Sequence, residues 1–258
     1  MKKRAKTNPT IWSIKGTKFK KIILNLGLRS KFLTMSYVHT KFIKDLLLSG
    51  EFNLEKISLF LKVKPHTVLS FKRLDNAYDL AKKVEETRTK GAIVECGVWK
   101  GGCIAMMASL TRNRKIWAFD SFEGLPKPDK IDGKEANIQY SANNCLEASK
   151  DDVAKILSKL KIHRNNVVIK KGWFQDVLPK VKNKIGDIAL LRIDGDWYES
   201  TKVCLEELYG NVVKNGYIIV DDYGAWIGAK KATDEFRTFN NIKAELVDID
   251  GIGIYWKK

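Results

Sequence analysis

One glycine-rich turn and three acidic clusters, each closing an apolar run, hold the residues of this chain whose types and spacing can do chemistry. The turn is Glu95-Cys96-Gly97-Val98-Trp99-Lys100-Gly101-Gly102; the clusters are Phe119-Asp120-Ser121, Asp194-Gly195-Asp196 and Asp221-Asp222. Each stands where a buried strand is expected to stop, and in an open α/β sheet that edge binds ligands. A nucleotide-like cofactor and a hard metal ion can share it.

A strand that runs into a glycine turn and then a helix lets backbone approach a ligand where a side chain would clash. Gly97, Gly101 and Gly102 offer that approach, with Val98 inside the same turn. Asp120 closes the next strand, followed by Ser121, at the place where a carboxylate accepts bonds from ribose hydroxyls. Two cofactor classes fit. A dinucleotide calls for Gly-x-Gly-x-x-Gly, and Cys96-Gly97-Val98-Trp99 lacks the paired leading glycines. Glu95 is ill placed beside a pyrophosphate but suits the ammonium group of S-adenosylmethionine, directly or through water.

Asp194 ends the run Ile188-Ala189-Leu190-Leu191-Arg192-Ile193, and Asp221 and Asp222 end Tyr217-Ile218-Ile219-Val220. Neighbouring parallel strands finish on one edge, so the three carboxylates are expected to converge. Like charges in a cleft repel unless a proton or cation intervenes. Oxygen ligands without His or Cys favour Mg²⁺ or another hard divalent cation. Such an ion acidifies and aims a substrate hydroxyl, which suits methyl transfer to oxygen. Asp194, Asp196 and Asp221 form the expected catalytic set, with Asp196 placed to take the proton or hold a substrate hydroxyl. The alternative for any one of these aspartates is a helix cap or a bond to backbone amides. On this reading Asp221→Ala is expected to abolish activity with the fold largely intact.

The elements that must carry these residues follow from periodicity. From Gly91 onward strands and helices alternate, as in a doubly wound, mostly parallel sheet. Strands are expected at 92–96, 116–120, 167–170, 188–194 and 217–221, with two more around Leu246 and 252–255. Helices are expected through Ile104–Leu110, near 152–160, through Leu205–Val213 and near 229–239. Residues 121–146, with Pro126 and Pro128, are too long for an idle connection and form a candidate substrate loop. Ahead of the sheet, residues 37–64 read as two helices broken at Ser49-Gly50, and Phe71–Arg88 as a third.

The chain has 258 residues, 44% of them apolar, and no apolar run near the ~20 residues that span a bilayer. Four cysteines without Cys-x-x-Cys spacing and three scattered histidines argue for reduced thiols, a cytoplasmic location and no zinc site. Net charge is +17, of which residues 1–44 supply +12 through twelve Lys or Arg and no acid. From Lys18 a basic amphipathic helix is expected, with Phe19, Ile22, Ile23, Leu26 and Leu33 on one face. It either packs on its own domain or lies on an anionic surface, membrane or nucleic acid.

Four blocks in order resemble the macrocin O-methyltransferase family: the 95–102 turn, Asp120-Ser-Phe-Glu-Gly-Leu-Pro126, Asp194-Gly-Asp-Trp-Tyr-Glu-Ser200 and Asp221-Asp-Tyr-Gly224. The resemblance runs from about Thr67 to Trp256. It implies a class I S-adenosylmethionine-dependent methyltransferase domain over 67–258, with 1–66 as a basic arm and helical extension. It also implies methylation of a sugar or glycan hydroxyl with a divalent metal on Asp194, Asp221 and Asp222. Donor contacts would fall on Glu95, Gly97, Asp120 and Ser121, with Gly172-Trp173-Phe174 flanking the adenine. Trp197 and Trp226 depart from the family pattern near the expected acceptor. An NAD-dependent oxidoreductase and an RNA- or membrane-associated methyltransferase stay open as alternatives, as does a homo-oligomer.

Overall fold

The computed structural model describes residues 31–258, apart from Arg112 and 143–145. The basic arm, the helix expected from Lys18 and Cys145 lie outside the described residues. Cys96, Cys103 and Cys204 are free and buried.

Seven strands form one sheet: β1 (Ala92–Cys96), β2 (Ile116–Asp120), β3 (Val167–Lys171), β4 (Ile188–Ile193), β5 (Val212–Val220), β6 (Val247–Asp248) and β7 (Ile254–Lys257). Their order is β3-β2-β1-β4-β5-β7-β6. β1 to β5 pair in parallel, and β7 runs antiparallel to both β5 and β6. The order reverses between β1 and β4, so their carboxyl ends flank the crevice where such sheets bind ligands.

β1 and β4 are buried along their whole length, which explains why they read as continuous apolar runs rather than alternating ones. Ile93, Ile116, Leu190 and Ile219 face one helical layer, while Val94, Phe119, Leu191 and Val220 face the other. The first layer contains α1 (Lys31–Leu48), α2 (Leu54–Val63), α3 (Phe71–Glu86), α4 (Gly102–Ser109) and α6 (Lys150–Lys159). The second contains α7 (Phe174–Ile185), α8 (Tyr198–Leu208) and α9 (Ile227–Phe239). α5 (Gly133–Ala142) packs through Ala136 with Trp197, Trp226 and Ala229 at the starts of α8 and α9.

The helices ahead of the sheet share its core. Phe42 of α1 and Phe60 of α2 meet Phe71 of α3 edge-on, with ring centroids 5.8 Å apart in both pairs. Asn53 and Ser70 cap α2 and α3, their side chains accepting the N–H of Lys56 and Arg73. Such caps contribute about 1 kcal/mol each.

Several expected boundaries move. The 121–146 connection contains α5 and is not structureless. Val212 and Val213 continue the helical spacing of Leu205 and Leu208, yet they begin β5. A turn at Tyr209–Asn211 intervenes, and the β4–β5 register slips between Ile188 and Leu190. α7 was not expected, because Pro179 lies inside it.

Candidate active site

The carboxyl ends of β1, β2 and β4 open into one cleft. Gly97, Asp120, Ser121, Asp194 and Asp196 line it, and Gly172, Trp173 and Phe174 close it from the β3 exit. Leu125 and Pro126 from the long connection form its outer wall. Gly97 has φ +92°, which side chains rarely adopt, and a Cβ there would overlap the Asp194 carbonyl oxygen; the exits of β1 and β4 can lie together only if that position is bare. Asp194 N–H donates to the Cys96 carbonyl at 2.8 Å and ties the two exits.

Asp120 is fixed by backbone. Its Oδ2 accepts the Trp99 N–H at 2.8 Å and its Oδ1 the Phe122 N–H at 2.7 Å. Burial pushes its carboxyl above the usual range, opposed by those amide bonds. One lone pair on each oxygen remains for a ligand. Ser121 Oγ donates to the Gly124 carbonyl at 3.0 Å and so shapes the wall.

Four expected donor-side residues do not line the cleft, the first being Val98, which is buried in the core beside α4. Gly102 packs on the helical extension: a Cβ there would stand 2.6 Å from the His66 carbonyl oxygen. Gly101 packs on Val153 of α6. The first turn of α4 is thus filled by protein where a dinucleotide's pyrophosphate would rest. Glu95 is 1% exposed, and its Oε1 accepts Arg192 Nη1 at 2.5 Å. Its Oε2 is a buried oxygen without a hydrogen-bond partner. Burial raises this carboxyl to about 7, against the pull of Arg192. Glu95 thus stands in a buried ion pair with Arg192 rather than on the cleft wall.

Asp194, Asp221 and Asp222 do come together, each offering an oxygen within 4.8 Å of the others'. Two arginines absent from the expected site hold Asp194 and Asp221. Arg192 sits opposite Glu95 in the β1–β4 register. Its guanidinium donates to Glu95, to Asp194 Oδ2 at 3.0 Å and to Asp221 Oδ1 at 2.6 Å. Arg73 of α3 donates to Asp221 Oδ2 and pairs with Asp250 Oδ2 at 3.3 Å, while Ser70 Oγ donates to the same Asp250 oxygen at 2.9 Å. An arginine inside a fully buried apolar run was the available signal for Arg192, since a buried guanidinium demands carboxylate partners. Arg73 lies 148 residues from Asp221, and no local pattern announces it.

Charge in the cluster is unbalanced. Burial works to raise Asp221, but Arg192 and Arg73 hold it below the usual range. Asp222 is driven well upward by burial and then by Asp196, Asp194 and Asp221. Asp194 is raised by burial and by Asp221. A cluster made of oxygens alone, whose carboxylates push one another upward, has the donor chemistry that suits a hard divalent cation.

Asp196 adopts φ 58°, an uncommon left-handed conformation for a non-glycine residue. It is pinned on both sides: its N–H donates to Asp222 Oδ2 at 3.0 Å, and its Oδ1 accepts Trp226 Nε1 at 2.9 Å. Burial, with Asp194 adding, raises its carboxyl to about 7. Trp226 meets Trp197 edge-on at 5.0 Å, and Trp197 Nε1 donates to the Pro126 carbonyl at 2.8 Å. Both tryptophans are therefore buried struts behind the cleft. Asp132, also unforeseen, accepts the Tyr198 N–H at 2.7 Å and binds the long connection to the start of α8.

Comparison with known proteins identifies the family and the reaction class. The chain matches the macrocin O-methyltransferase (TylF) family over residues 62–258. It is 38% identical over 200 residues to demethyldecarbamoylnovobiocin O-methyltransferase of Streptomyces niveus, covering 75% of this chain and 76% of that protein. It is 32% identical over 201 residues to the 8-demethyl-8-(2,3-dimethoxy-alpha-L-rhamnosyl)-tetracenomycin-C 4'-O-methyltransferase of Streptomyces olivaceus, covering 74% and 75%. The solved O-methyltransferase NovP superposes with a TM-score of 0.69 at 36% identity, over 75% of this chain and 82% of that one. The chain belongs to the macrocin O-methyltransferase family and is an S-adenosylmethionine-dependent O-methyltransferase.

Proposed function

We propose that this enzyme methylates a hydroxyl of a sugar, free or in a glycoside, with a divalent ion such as Mg²⁺ held by Asp194, Asp221 and Asp222. The observation that carries the reading is the convergence of those carboxylates beside the cleft that Asp194 and Asp196 also line. The tetracenomycin relative, named for a rhamnosyl substrate, supports a sugar acceptor.

The donor supplies an electrophilic sulfonium methyl, and the ion supplies Lewis acidity at the acceptor oxygen. Asp120 would accept bonds from the donor's ribose, with Trp173 and Phe174 flanking its adenine and Gly97 lining the same cleft. Asp196 takes the acceptor's hydroxyl proton on Oδ2 while Trp226 holds Oδ1. Asp194 belongs both to the cleft lining and to the carboxylate cluster, and so would set the spacing between donor and acceptor.

Calorimetric titration and a labelled-methyl assay on a glycoside panel test this. S-adenosylhomocysteine should bind and NAD should not; methyl should reach oxygen, stop in EDTA and resume with Mg²⁺. Undiminished transfer in EDTA removes the ion, and a product methylated on nitrogen or carbon removes the hydroxyl.

A further inference from the structure

The corner joining α1 to α2 is apolar where a solvated turn should be polar. Leu47 is 77% exposed, Leu48 74%, Phe52 87% and Leu54 78%, all within eight residues, with Ile43 and Leu61 beside them. The inner faces of both helices are already used: Phe42, Leu46, Phe60 and Val63 are buried against the body. These outer side chains therefore contribute nothing to the core, and scattered exposure does not explain four large residues on one corner.

Charge indicates what covers them. Lys44 and Lys62 flank the corner as exposed residues. Of the nearby acids, Glu51 is paired with Lys56 at 3.1 Å, leaving Asp45 and Glu55. The 44 residues that lead into this corner carry twelve basic groups and no acid. A second copy docked face to face would bring two such segments together against their mutual repulsion. An anionic surface would be attracted to one of them, while a layer of acyl chains receives the leucines and phenylalanine. No described helix is long and apolar enough to cross a membrane, so the contact is peripheral.

We propose that the α1–α2 corner docks on an anionic lipid surface, its apolar side chains entering the interface and residues 1–44 supplying the attraction. This surface is separate from the cleft and does not depend on the acceptor's identity.

Co-sedimentation of the full chain with vesicles tests it. Vesicles of 30% phosphatidylglycerol in phosphatidylcholine should retain the protein at least tenfold better than phosphatidylcholine alone, and the difference should shrink in 0.5 M salt. The double variant Leu47→Ser, Phe52→Ser should lose at least tenfold in retention while its thermal unfolding and S-adenosylhomocysteine binding stay unchanged. Absence of retention on the anionic vesicles overturns the proposal. So does retention that ignores the double variant, which would leave the arm acting alone. A dimer, seen by light scattering, that the variant dissociates while vesicles go unbound would assign the corner to a second copy instead.

Discussion

At the exit of β2 one carboxylate, Asp120, is satisfied by two backbone N–H groups, whereas around the exits of β4 and β5 six carboxylates gather and four of them pair with two guanidinium groups. The six are Glu95, Asp194, Asp196, Asp221, Asp222 and Asp250; the two are Arg73 and Arg192. Donor-side geometry is thus held by short local bonds within a turn, and its parts act nearly independently. The acidic rim is held by long-range ion pairs between α3, β1, β4 and the segment after β6, so a change at one residue is felt by the others. The rim also gathers more carboxyl groups than guanidinium partners, an imbalance the β2 exit lacks.

The sharpest way to break this contrast is Arg192→Met. It strands Glu95, Asp194 and Asp221 without their shared partner, and removing one side of a buried pair costs about 3–5 kcal/mol. Urea denaturation should show the loss directly. Asp221→Ala belongs to the same class. Both of its oxygens are gripped by buried arginines, so the sequence-based expectation of an intact fold does not survive the structure. Its loss of activity would report on folding as well as on metal.

Asp222→Asn separates the two effects. Its Oδ2 accepts the Asp196 N–H, and neither arginine pairs with it. Stability should hold while divalent affinity, read by calorimetry, falls by about 100-fold or more, beyond the 10–100-fold typical of outer partners. On the donor side, Asp120→Ala leaves the Trp99 and Phe122 N–H groups unpaired, at about 1–3 kcal/mol for a buried orphan, and should weaken S-adenosylhomocysteine binding about tenfold. Divalent binding should not change, which is the contrast in its plainest form. Trp226→Phe keeps the ring against Trp197 but removes the N–H to Asp196; with a net hydrogen bond worth about 0.5–1.5 kcal/mol, kcat should drop about threefold with KM for donor unmoved.

The strand edge was legible in the sequence because its residues announce themselves locally. An apolar run that stops at an acid, as at Ile193-Asp194 and Val220-Asp221, is a buried parallel strand reaching the ligand edge. Gly97 and Asp120 follow the same grammar. What escaped depends on distance or on conflicting signals. Asp250 and Arg73 act through partners far along the chain, Pro179 conceals α7, and Val212 keeps a helical period into a bulged strand. Gly101 and Gly102 were legible as bare positions, but the sequence does not say whether a ligand or a neighbouring helix fills the space; here it is Val153 and the 63–66 backbone.

The central claim is that the β4–β5 rim holds one divalent cation beside the donor cleft. Calorimetric titration of Mg²⁺ into the chelator-treated protein saturated with S-adenosylhomocysteine tests it most directly. One saturable ion per chain, lost in Asp222→Asn but kept in Asp120→Ala, is the predicted result. Heat that never saturates, or an identical isotherm in Asp222→Asn, would contradict it.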